Sequence, residues 1–287
     1  MSEKHIDEVT GISTTGHEWD GIRELDNPMP RWWLWTFYLC IIWAIGYAIA
    51  YPSIPLIKGA TPGLLGYSSR ADVVSELADA KVAQGAMLEK IAATPVGDIA
   101  GDQELLQFAI AGGSSAFKVN CAQCHGSGAQ GSAGYPNLND DDWMWGGTID
   151  QIYHTIAHGI RYEVDEDTHV SEMPAFGDML EPDQIKEVAA YVISLSDTPS
   201  DASLVDAGQE VYAENCAACH GDNAEGITDF GAPRLSDGIW LKGSTEDAIV
   251  AQIRNPKHGV MPAWIDRLGE PTIKQLAVFV HTLGGGQ

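Results

Sequence analysis

Cations are scarce in this sequence. Its 287 residues carry 16 Lys+Arg against 40 Asp+Glu, a formal charge of −24. So acidic a chain lacks the basic footprint of a nucleic-acid binder and suits basic partners. Cysteine is scarce too. Five residues in all cannot build a disulfide scaffold, so their positions carry the information rather than their number. The composition of disorder is missing: 45% of residues are hydrophobic and 20% charged, as in packed protein. A chain of this length has room for about two domains.

Charge is absent altogether from Trp32 to Tyr51, WWLWTFYLCIIWAIGYAIAY. A bilayer core of ~30 Å takes ~20 such residues as a helix. Trp32, Trp33 and Trp35 crowd one end and Tyr47 and Tyr51 the other, as interfacial aromatic belts do. Pro30 precedes the run, and Pro52 and Pro55 stop it. The polar face of a buried core helix is lacking. So are the basic start and small-residue cleavage site of a secretory signal, because a mostly acidic leader comes first. Residues 31–52 therefore read as an uncleaved transmembrane helix, with Cys40 a small apolar filler. Arg23 and Arg31 flank one end, Lys58 and Arg70 the other, so the positive-inside rule gives no orientation.

Residues 1–30 hold seven Asp/Glu and read as a tail that is disordered or ordered by a partner. The stretch 53–101 reads as a linker: a Pro/Gly-rich connector, then a helix over about Ser69–Ala93. Val73, Leu77, Val82 and Leu88 are loosely spaced there for one apolar face.

The rest is an internal repeat. Gly113, Phe117 and Asn120 stand at the same offsets before Cys121 as Gly208, Tyr212 and Asn215 before Cys216. CAQCHG at 121–126 answers CAACHG at 216–221, and Pro136-Asn-Leu138 answers Pro233-Arg-Leu235. From Met173, MPAFGDMLEPDQIKEVAAYVISL aligns without gaps to MPAWIDRLGEPTIKQLAVFVHTL from Met261. The first copy alone carries the extra stretch RYEVDEDTHVSE, residues 161–172. Two helical modules result, 102–198 and 199–287. Each has a helix into its cysteines, a middle helix near Ile149–Ala157 or Asp247–Ile253, and a C-terminal helix.

Cys-x-x-Cys-His is the attachment sequence of a c-type haem. Thiols one helical turn apart, Cys121 and Cys124 or Cys216 and Cys219, can each form a thioether to vinyl groups on adjacent pyrroles. His125 or His220 then lies over the iron. A zinc ribbon would need a second cysteine pair within about 20 residues, whereas these pairs lie 92 apart. The βαβ pattern of a thioredoxin-type pair is absent. Covalent haem also supplies interior to modules this small. Two covalently bound haem c groups per chain are expected.

Met173 and Met261 occupy equivalent places, each followed by proline, and are the candidate sixth ligands. Met opposite His raises the iron potential and leaves no open position, which suits electron transfer. Ligation by Met144, by Met179 or by a second His is the alternative. Neither methionine has a counterpart in the second module. His158 and His258 recur ahead of glycine and read as pocket-closing or propionate-binding residues. His154, His169 and His281 do not recur and read as ordinary surface or helix residues. A ligating His donates its other ring N–H to a carbonyl, and Pro136 and Pro233 are placed to offer one. Across the short connector, each Met could serve its own module's iron or, by exchange of loops, its neighbour's.

With these motifs the tandem modules resemble class I cytochrome c domains, over about 185 residues. The whole order of anchor, helical linker and two CxxCH modules resembles subunit III, the dihaem subunit, of cbb3-type cytochrome c oxidase. The resemblance implies an all-α fold with one N-terminal transmembrane helix. It also implies the bacterial inner membrane, the N-terminus in the cytoplasm and both haem domains in the periplasm. The implied role is to accept electrons from a donor cytochrome c and pass them, through a monohaem subunit, to the catalytic haem–copper subunit of the respiratory chain. A free-standing membrane-anchored dihaem carrier is the other reading. A peroxidase would need an open haem position, and the Met that both modules offer at that place weakens this reading. Residues 100–198 carry net −13 against −6 for residues 199–287. The first module is therefore the stronger attractor for a basic donor, unless the acidity serves only solubility.

Overall fold

The computed structural model describes residues 5–286. The chain divides into two compact units, residues 1–82 and 83–287. In the first, strands β1 (Thr14–Trp19) and β2 (Ile22–Leu25) form an antiparallel hairpin. The segment expected to be disordered or ordered by a partner thus holds a hairpin, turned by Asp20 and Gly21, both at positive φ.

Helix α1 (Arg31–Ala50) has no buried residue and is apolar all round, the surface a bilayer solvates. Tyr51, held extended ahead of Pro52, ends it. Its last carbonyls are answered from the connector, Leu64 N–H donating to Ile49 and Leu65 N–H to Ala50. Two-residue strands β3 (Pro55–Leu56) and β4 (Gly59–Ala60) pair between them. Helix α2 (Ser69–Ala93) has the expected bounds but not the expected face. Val73, Leu77 and Val82 are exposed, and α2 buries only its end, at Ile91.

The second unit contains α3 (Gln103–Asn120), α4 (Ala122–His125), α5 (Ile149–His158) and α6 (Pro182–Ser194). These are followed by α7 (Val205–Asn215), α8 (Ala217–His220), α9 (Glu246–Arg254), α10 (Ile265–Leu268) and α11 (Glu270–His281). Local chemistry starts several of them. Asp102 accepts from the Glu104 and Leu105 amides, Thr148 and Gln151 form a capping box, and Pro182 stands in the first turn of α6.

Packing does not follow the repeats. One core joins Leu105, Phe117 and Ile156 of the first repeat to Ile273, Leu276 and Val280 of the second. The other joins Ile185, Val188 and Val192 of the first repeat to Val211, Tyr212 and Ile249 of the second. Helix α11 lies on α3, and α6 lies on α7. The glycines show the symmetry of this exchange. A Cβ at Gly113 would strike the Gln275 carbonyl and Phe279, and one at Gly208 the equivalent Glu187 carbonyl and Tyr191. The boundaries 102–198 and 199–287 therefore describe sequence repeats, whereas the packing groups are residues 83–160 with 261–286, and 173–254 between them.

The connectors account for this. Only residues 195–204 separate α6 from α7, so these neighbours pack as a helical hairpin. The extra stretch 161–172 supplies the chain that leads out of the first packing group into the second. The return comes at Met261, whose backbone exchanges hydrogen bonds of 2.9 and 3.0 Å with Ile160.

Candidate haem centres

Each CxxCH segment is built the same way. Helix α3 ends at Cys121, whose carbonyl accepts from the Cys124 and His125 amides at 3.1 and 3.0 Å. Cys216 does the same for Cys219 and His220, at 3.1 and 3.0 Å. This one-turn helix sets two thiols and an imidazole on one short segment. Gly126 (φ +81°) and Gly221 (φ +84°) then turn the chain sharply, a conformation that costs glycine least. All four thiols are unbridged. Burial pushes Cys121 and Cys216 each up to about 11.

His125 Nδ1 lies 3.1 Å from the Pro136 carbonyl and His220 Nδ1 2.9 Å from that of Pro233. The bond makes Nδ1 the protonated nitrogen and leaves Nε2 with its lone pair. Burial also lowers both imidazoles below the ordinary histidine value, against the raising effect of those carbonyls. Both rings are thus neutral at pH 7, the form that ligates iron.

A cavity of about 730 Å³ is lined by both CxxCH segments, by Met173 and by Met261. A smaller one of about 100 Å³ lies against His125, with Phe117, Trp143, Ile156 and Met261 in its mostly apolar wall. Met261 thus shares a chamber with the histidine of the other repeat. Met173 packs on the core that holds Cys216 and Tyr212. Met144 also lines the chamber of His125, whereas Met179 is exposed and lines neither cavity. A set of unbridged thiols, neutral imidazoles, methionines and apolar walls fits a c-type haem.

The histidines read as ordinary prove otherwise in two cases. His169 stacks on Trp145 at 4.1 Å between centroids, and its Nε2 meets the Thr155 hydroxyl at 3.1 Å. Burial, reinforced by His154, Arg161 and His158, drives it down to about 4. The ring of His154 lies 4.8 Å from His158 and 4.9 Å from His169, and its buried Nδ1 has no hydrogen-bond partner among the described residues. His158 turns to Asp165 at 3.1 Å, while His258 lines the large cavity. Sequence reasoning missed this cluster because half of it stands on the unrepeated stretch. It also missed Asp142, which lines both cavities. Burial, then the charges of Asp237 and Asp140, push its carboxyl up to about 6.

The family model for the cbb3-type cytochrome c oxidase subunit III matches residues 108–192 and 203–280, one match on each repeat. This chain belongs to that family. The model for the N-terminal domain of cytochrome oxidase-cbb3, FixP, matches residues 11–58, the hairpin and α1. The chain is 63% identical to the cbb3-type cytochrome c oxidase subunit FixPc of Rhizobium leguminosarum bv. viciae, over 100% of both chains. It is 63% identical to subunit FixP of Rhizobium meliloti (strain 1021), covering 99% of this chain and 98% of that one. Subunit CcoP of Cereibacter sphaeroides is 50% identical over 96% and 95%. As a member of the cbb3 subunit III family, the chain is a haem c-binding, membrane-anchored electron-transfer subunit of an oxidase complex.

Proposed function

We propose that this subunit carries two covalent haem c groups with exchanged methionines: His125 with Met261, and His220 with Met173. It takes electrons from a basic cytochrome c and relays them through a monohaem subunit toward the catalytic haem–copper subunit. The N-terminus lies in the cytoplasm, and residues 53–287 lie on the periplasmic side of the bacterial inner membrane. The observation that carries the ligand reading is the shared chamber of His125 and Met261, built by α3 and α11 from opposite repeats.

Bound haem c supplies the one-electron iron couple. Cys121 and Cys124, or Cys216 and Cys219, hold it by thioethers, and each neutral imidazole is oriented by its proline carbonyl. The apolar walls exclude water, and a methionine ligand from Met261 or Met173 together with the imidazole would favour the reduced form of a bound haem. The acidic group Asp140, Asp141, Asp142 and Asp237 faces a basic donor with concentrated negative charge, so encounter is fast and falls with salt. Helix α1 keeps the second unit at high effective concentration beside the other subunits.

A single-haem series tests the pairing. In a Cys121→Ala/Cys124→Ala chain only the second site is loaded. Met173→His should then abolish the remaining far-red Met–iron absorption and lower the potential, while Met261→His leaves both unchanged. The opposite pattern assigns each methionine to its own repeat, and no effect from either substitution removes both as ligands.

A further inference from the structure

One side chain touches both methionine loops. Arg161 opens the stretch 161–172 that the second repeat lacks. Its Nε donates to the Gly259 carbonyl at 2.8 Å and its Nη1 to the Ser171 carbonyl at 2.7 Å. Gly259 stands two residues before Met261, and Ser171 two residues before Met173. The preceding residue, Ile160, is the one that pairs with the Met261 backbone.

The position is held against local preference. Arg161 has φ +51°, a left-handed conformation that costs a non-glycine residue about 1 kcal/mol. It persists because its surroundings fix it. Its own amide donates to the His169 carbonyl at 2.6 Å, and its guanidinium lies 6.0 Å from the Trp145 ring, where His169 also stacks. Among the described residues none of its hydrogen-bond partners is a carboxylate, although the charge of Glu172 acts on it, and the side chain lines the cavity that both CxxCH segments share. Two donors leaving a planar fork in different directions are a task for arginine. Lysine, a point charge on a flexible stem, cannot hold two carbonyls in fixed relation.

We propose that Arg161 is a positioning residue common to both haem sites, a clamp that holds the Met173 and Met261 loops through Ser171 and Gly259. The two methionine–iron bonds are then mechanically coupled, and loosening the clamp weakens both. The inference rests on Met173 and Met261 being the sixth ligands.

The test uses the haem-loaded full chain and the two single-haem chains, with the far-red Met–iron absorption, both midpoint potentials and imidazole binding to the ferric protein. Arg161→Gln should let imidazole displace methionine about tenfold more readily at each site, the loss of a charge-assisted hydrogen bond per loop. Both potentials should fall. Arg161→Lys, which keeps the charge, should show the same loss of methionine hold at both sites. Asp165→Asn removes the negative charge beside His158 within the same stretch but touches neither methionine loop, and it should leave both absorptions in place. A change at only one haem, no change at either, or an equal effect from Asp165→Asn would overturn the clamp. Met173→Ala and Met261→Ala should each remove one far-red absorption. If they do not, the ligand reading itself falls, and the clamp with it.

Discussion

The two repeats share one sequence pattern, and the same repeat positions do different work in each. Lys274 and Lys186 are equivalent. Lys186 is exposed and pairs with Asp183 at 3.1 Å. Lys274 is 7% exposed and donates to the carbonyls of Ile91, Ala92 and Thr94, closing the C-terminal end of α2, while pairing with Glu270 at 2.9 Å. Phe117 and Tyr212 are equivalent as well. The tyrosine hydroxyl donates to the Gly221 carbonyl at 2.8 Å within the core, a bond the first half does without. A duplicated helix takes its energetic role from whatever it is packed against. Among the described residues, the core built by α3 and α11 takes in the end of α2 at Ile91, and the core built by α6 and α7 does not.

Breaking the lysine contrast should give the largest effect. Lys274→Met removes the buried donor that the Ile91, Ala92 and Thr94 carbonyls share at the end of α2 and should cost about 3 kcal/mol. Lys186→Met should stay within about 0.5 kcal/mol, as exposed substitutions do. Chemical denaturation of the two haem-loaded variants measures the difference. Equal costs would mean that α11 does not seat on the end of α2.

The glycine pair sharpens the exchange itself. Gly113→Ala forces a methyl into the Gln275 carbonyl and should cost about 2 kcal/mol. Hydrogen exchange should then lose protection at Ile273–Val280 while Ile185–Val192 keep theirs. Gly208→Ala should give the mirror result. If Gly113→Ala instead opened Ile185–Val192, each C-terminal helix would belong to its own repeat. The smallest effect is expected at the tyrosine. Tyr212→Phe removes one of two donors to the Gly221 carbonyl, which keeps the Ala224 amide at 3.1 Å, and should cost about 1 kcal/mol in chemical denaturation.

Much of the candidate site was legible because it is local. Two cysteines and a histidine within five residues fold as one helical turn, and the carbonyls of Pro136 and Pro233 stand where the spacing placed them. The anchor was equally plain, since twenty apolar residues without a polar face carry their own solvent requirement. The hairpin Thr14–Leu25 was not, because its acidic composition read as a tail while Asp20-Gly21 supplied the turn. The exposed face of α2 was misread from periodicity alone. The histidine cluster and Arg161 stand on or against residues 161–172, where there is no second copy to mark them.

By itself the sequence determined the number of CxxCH segments, the apolar span and the repeat that singles out His125, His220, Met173 and Met261. All of these rest on residues near one another in the chain or on identity between two copies. Only the tertiary structure decided which C-terminal helix completes which core. Both copies offer nearly the same apolar face at Ile185–Val192 and Ile273–Val280, so periodicity cannot rank the pairings. What separates them is chain connectivity. The connector 195–204 holds α6 beside α7, the stretch 161–172 spans between the groups, and α11 is left to close the core that α3 began.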